Sequence, residues 1–157
     1  MFDLIDGIPL HPLVVHAVVV LLPLATLGTI AIVARPAWRL RFGPLVVAAA
    51  ALSTALIPVA TSSGEALERR VGDPGRHAEL GDQLIWFAVP LLLLSAALVW
   101  LEWRRGRPGA PVGSRTLLNV VAALVVVAAL ASAVQVYRVG DSGARAAWSD
   151  AGTTAGK

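Results

Sequence analysis

The sequence predicts an all-α fold, a four-transmembrane-helix bundle with both termini extracytoplasmic, and three observations predict it. Of 157 residues, 57% are hydrophobic and only 15% are charged, whereas an average soluble domain is about one quarter charged. Four long runs lack Asp, Glu, Lys and Arg altogether: Gly7–Ala34 (28 residues), Phe42–Gly64 (23), Gln83–Leu101 (19) and Thr116–Tyr137 (22). The arginines between those runs are placed asymmetrically. The mean hydropathy is +0.74, and a single domain of this length has too much surface for its volume to hide so much apolar side chain. Composition therefore excludes an ordinary water-soluble enzyme, a disordered regulator and a secreted disulfide scaffold. Cysteine is absent, which removes thiol nucleophiles, iron–sulfur ligation and zinc ribbons.

About 20 apolar residues cross a hydrocarbon core as a helix. The runs therefore give spans at about 12–34, 43–63, 83–102 and 116–138. They form one membrane domain, 1–148, followed by a small, polar, flexible tail, 149–157. A β-barrel would need short alternating segments, and Val18-Val19-Val20-Leu21-Leu22 and Leu91-Leu92-Leu93-Leu94 do not alternate. In the first span Pro12 suits the first turn of a helix, where no amide donor is needed. Pro23, Pro58 and Pro90 fall inside spans, where neighbouring helices can satisfy the freed carbonyls, and kinks are expected there. Ala51 with Ala55 and Ala129 with Ala133 have the small-residue spacing that lets helices approach closely in lipid. Two acidic residues and no basic one precede the first span, so it is expected to be retained rather than cleaved as a signal peptide.

Orientation follows from the arginines. The loop between spans one and two holds Arg35, Arg39 and Arg41. The loop between spans three and four holds Arg104, Arg105, Arg107 and Arg115 beside Glu102. Short basic loops stay cytoplasmic. The middle loop, with Glu65, Glu68, Asp73, Glu79 and Asp82 as well as Arg69, Arg70 and Arg76, is then outside. Trp38, Trp100 and Trp103 fall at the expected inner interface, and Trp86, Phe87 and Tyr137 near the outer one, the levels that aromatic residues prefer. The net charge is only +3; the topology accounts for the basic balance, and nucleic acid is not expected as a partner.

All three histidines, His11, His16 and His77, then lie at the outer end, where ionisable groups at membrane depth are functional candidates. His11 and His16 are about 140° apart around a helix axis, so they cannot both face one ligand from the helix. His16, one turn inside, is the better buried candidate. In the middle loop a turn is expected at Gly72-Asp73-Pro74-Gly75, with span two continuing outward as a helix and span three beginning near His77. Three chemistries are open. His16 and His77 can be axial ligands of a b-type haem. His16 and His77 with Glu65 or Asp141 can hold zinc or copper, with His11 a further candidate ligand. The same groups can relay protons. The plain alternative is a histidine satisfied by a backbone carbonyl near the headgroups. No His-Glu-x-x-His, Gly-x-Ser-x-Gly, Walker or dinucleotide motif is present,. Thr61, Ser62 and Ser63 read as helix-end hydroxyls rather than nucleophiles.

His11-Pro12-Leu13-Val14-Val15-His16, then His77-Ala78-Glu79-Leu80-Gly81, then Tyr137-Arg138-Val139-Gly140-Asp141-Ser142-Gly143-Ala144-Arg145-Ala146-Ala147-Trp148 occur in order across nearly the whole chain. Together they resemble the bacterial membrane family called domain of unknown function 2231. The resemblance implies a four-helix integral membrane protein and, from members joined to Rieske-type domains, redox or respiratory work. The family pattern usually has His where this chain has Asp141, which leaves His16 and His77 as the haem pair. The expected protein is thus a multi-pass protein of the bacterial cytoplasmic (inner) membrane, with the lipid bilayer as its surroundings. It is a haem- or metal-binding, redox-associated protein or, alternatively, a non-catalytic accessory subunit. Its expected partners are further copies of itself or a respiratory-type membrane complex.

Overall fold

A computed structural model describes residues 4–5, 8–72, 75–107 and 115–148. A two-residue antiparallel ladder, Leu4–Ile5 with Ile8–Pro9, precedes the helices and has no counterpart in the all-helical expectation. The helices are α1 (Leu10–Ala34), α2 (Arg39–Val71), α3 (Arg76–Asp82), α4 (Ile85–Arg105) and α5 (Arg115–Trp148). A single 3-10 turn, Pro36–Trp38, joins α1 to α2. Among the described residues four stretches are long and apolar enough to cross a membrane, and α3 with α4 makes one of them. Their outward faces confirm the solvent: Val20, Leu27, Leu45, Leu93 and Val127 are each 62–67% exposed. Patches of that kind on a protein in water would drive association; in a bilayer they meet acyl chains. The tail at 149–157 lies outside the described residues.

The helices run unbroken through Pro23, Pro44, Pro58 and Pro90. As the spacing predicts, α2 continues past its apolar run, here to Val71. It stops at Gly72, whose φ of +99° few side chains tolerate,. Asp73 and Pro74 of the expected turn lie outside the described residues. Gly75 precedes α3, and α3 leads into α4 through one further turn at Gln83 and Leu84.

Around the bundle the order is α1, α2, α4, α5, closing back on α1; α1 and α4 barely meet across the middle. The packing repeats. Buried Val14, Val18, Leu22, Ala25, Thr29 and Ile32 on α1 recur at constant spacing as buried Leu80, Leu84, Ala88, Leu91, Ser95 and Leu98 along α3, the turn after it and α4. On α2 and α5, Val46, Ala50 and Ser53 recur as Val125, Ala129 and Ser132. Thr29 and Ser95, equivalent in the two halves, hydrogen-bond to each other through their hydroxyls at 3.2 Å. The chain is thus two similar helical hairpins about an axis along the bundle, passing between those hydroxyls. An even number of spans per hairpin gives both halves the same direction through the membrane, the parallel kind of repeat.

Inside, dispersion and small residues hold the helices, because lipid supplies no hydrophobic drive between them. Val18, Leu22, Ile57, Leu84, Ala88, Leu91 and Ala129 form the central cluster. Buried hydroxyls are satisfied within the protein: Thr26 donates to Leu22 O at 2.8 Å, and Ser132 reaches across to Phe87 O at 3.1 Å. At Gly43 a Cβ would stand 2.5 Å from Val99 Cγ2, so α2 and α4 approach as closely as glycine permits. Gly43→Ala should cost about 1–3 kcal/mol by overpacking. Thermal unfolding in detergent checks this, and Val99→Ala should recover most of the loss.

The bundle therefore has a histidine end, where α1, α3 and α4 start and α2 and α5 finish, and an arginine-loop end opposite. At the loop end Arg39, 6% exposed, is the principal tie. Its Nη1 donates to Glu102 Oε2 at 2.9 Å. Its Nε donates to Ile32 O at 3.1 Å and its Nη2 to Val33 O at 3.4 Å. One guanidinium thus fastens the start of α2 to the ends of α1 and α4. Four of the other arginines at this end lie on aromatic faces, Arg35 on Trp38, Arg41 on Phe42, Arg104 on Trp100 and Arg107 on Trp103, an arrangement that keeps both partners at headgroup level.

Candidate functional site

A cavity of about 300 Å³ opens at the histidine end between α1, α2 and α3. Its deeper wall is apolar, with Val15, Val18, Ile57 and Leu84; His11, His77, Glu65, Glu68 and Asp82 bring polar groups to it. The two histidines occupy equivalent seats in the two hairpins. His11 Nδ1 is 2.9 Å from Ala60 O and 3.3 Å from Ser63 Oγ. His77 Nδ1 is 3.1 Å from Val139 O and 3.3 Å from Ser142 Oγ. A carbonyl oxygen only accepts, so Nδ1 carries the proton on both rings. In the neutral imidazole the lone pair is then on Nε2, and neither Nε2 has a hydrogen bond among the described residues. Proton placement by a carbonyl is the arrangement that orients metal-binding histidines.

Glycine makes both seats possible. A Cβ at Gly64 would lie 3.0 Å from His11 Cε1, and one at Gly143 would lie 2.9 Å from His77 Cε1. The serine three residues after the acceptor, Ser63 or Ser142, also donates to that same carbonyl. The local rule is thus a carbonyl, then Ser-Gly one turn later, facing a histidine from the preceding span. Ser63-Gly64 and Ser142-Gly143 were the visible signal; reading Ser63 only as a helix-end hydroxyl missed it.

The structure reverses the burial expected of the first two histidines. His16 lies exposed on the face of α1 that also shows Leu13 and Val20, and its Nδ1 bonds to Pro12 O in its own turn. His16 and His77 are therefore not brought together; His11 and His77 line the same cavity. The angular separation along α1 holds, but the backbone carbonyl of Ala60 turns the earlier histidine inward. Glu65 lines the histidine cavity. Asp141 lines a different one, between α3 and α5, paired with Arg145 at 3.0 Å. Among the described residues no three His, Cys, Asp or Glu side chains cluster to hold a metal ion. The nitrogen donors on this cavity are two imidazoles, those of His11 and His77. They do not fit a closed, four-residue zinc site.

Residues 7–156 match the family model described as "Predicted membrane protein (DUF2231)". No curated protein and no solved structure matches the chain. The chain belongs to that family of membrane proteins of unknown function.

Proposed function

We propose that this multi-pass membrane protein holds an imidazole-ligated redox metal, as haem iron or copper, in the histidine-end cavity, with His11 and His77 as its ligands. The observation that carries the reading is the paired geometry: two half-buried imidazoles on one cavity, each with Nδ1 tied to a backbone carbonyl and Nε2 left to bind. When bound, such a group supplies one-electron transfer. Ala60 O and Val139 O keep both rings in the ligating tautomer. Val15, Val18, Ile57 and Leu84 limit water, and Glu65, Glu68 and Asp82 favour positive charge in the cavity. Purified protein tests the reading by its visible spectrum and its iron and copper content. Stoichiometric metal supports it; metal-free protein leaves the accessory-subunit alternative.

The same reading places the histidine end on the extracytoplasmic face of a bacterial cytoplasmic membrane and the two arginine-rich loops in the cytoplasm. Seven arginines in those loops support it, because short basic loops resist translocation. Reporter fusions at Arg39 and Gly106 should report cytoplasm, and one at Asp73 the outside. The inverse pattern would refute the orientation.

A further inference from the structure

We propose a second site, for a phosphate group, in the cavity of about 290 Å³ between α3 and α5, formed by Arg76, Arg138 and Arg145. Three arginines line this cavity with one acidic residue, Asp141, beside Tyr137 and Ser142. Asp141 takes Arg145 Nε, so the lining keeps a positive excess. Arg138 is positioned from beneath: its Nη1 donates to Oε1 of Gln135 at 3.3 Å. Gln135 is 1% exposed, and its Nε2 donates to Leu80 O at 2.9 Å. A buried glutamine thus fixes both the arginine and the neighbouring helix, which gives the cavity a built wall.

The fold does not require these charges. The equivalent positions of the first hairpin are Leu10 for Arg76, Leu56 for Gln135, Val59 for Arg138 and Ala66 for Arg145. That hairpin packs in the same way without a single charge there. Nor does the charge asymmetry of the loops explain them, since they lie at the end opposite the arginine-rich loops. Guanidinium forks match phosphate oxygens in pairs, which is why arginine is preferred for that anion. Val127, Leu130 and Val134, all exposed, run down α5 from Tyr137 at helical spacing. An anionic headgroup in the cavity would leave acyl chains along that stripe, so the phosphate of a phospholipid is accommodated as well as free phosphate.

The test uses the full chain in phosphatidylcholine nanodiscs. Phosphatidylglycerol is titrated and read by native mass spectrometry; inorganic phosphate is titrated and read by calorimetry. Saturable binding of either probe is expected, and the probe that binds identifies the source of the phosphate. Arg76→Gln and Arg138→Gln should each weaken binding about tenfold, the scale of one charged hydrogen bond, and together abolish it. Arg138→Lys, which keeps the charge and the size, should retain part of it and shows that the loss is not misfolding. Arg104→Gln at the opposite end should change nothing. Absence of saturable binding for both probes, or binding that survives the double variant, would overturn the proposal.

Discussion

Alanine at His11 or at His77 is expected to strip most of the bound metal from the purified protein, whereas alanine at His16 leaves it in place. In the proposed site each of the first two rings is one of two imidazoles on the cavity, and the carboxylates beside them, Glu65, Glu68 and Asp82, supply no further nitrogen donor. His16 faces outward and is satisfied by its own helix turn. Insertion should be unaffected by any of the three, because it depends on apolar runs that none of them shortens. Metal per chain and the visible spectrum, measured on the three variants in parallel, check the ranking. Equal loss from His16→Ala and His11→Ala would refute it. Asp141→Ala should spare the metal as well, since Asp141 lines the other cavity.

Arg39→Ala should be the most damaging single change to stability, by about 3 kcal/mol. Removing one member of a buried ion pair leaves the other charge without compensation, which typically costs about 3–5 kcal/mol. Glu102 retains some exposure, with its side chain 24% accessible, which sets the estimate at the low end. Two carbonyls in the last turn of α1 lose their donor at the same time, and such end carbonyls have no partner within their own helix. Thermal unfolding in detergent reads the effect. Arg39→Lys should recover only part of it, because one ammonium cannot reach three acceptors in a planar fan. Wild-type stability in Arg39→Ala would show that the loop end is not held by this contact.

The bundle itself was legible because charge-free length is a physical requirement of crossing a bilayer, and the four runs meet it without tertiary information. The outward run of α2 beyond Gly64 was legible from helical spacing. Three things were not. Arg39 counted as one loop arginine among seven; nothing local distinguishes the one that turns back over α1 and α4. The two-hairpin repeat escaped because its halves share buried positions more than identities: Leu22 stands where Ala88 does, and Thr29 where Ser95 does. The choice between His11 and His16 needed a contact across the bundle. Their separation along α1 was readable, but only the position of Ala60 O on α2 decides which ring turns inward. The serine–glycine pairs facing His11 and His77 were readable residues whose meaning appears when both are seen to do the same thing.

We propose His11 and His77 as ligands of one redox metal in the histidine-end cavity. The visible absorption spectrum of the purified full-length protein, oxidised and then reduced, beside its iron and copper content, tests it most directly. The predicted result is one metal centre per chain, with a spectrum that changes on reduction and is lost in both His11→Ala and His77→Ala. Protein that carries neither iron nor copper after expression with haem, iron and copper supplied, or metal that persists in both variants, would contradict it.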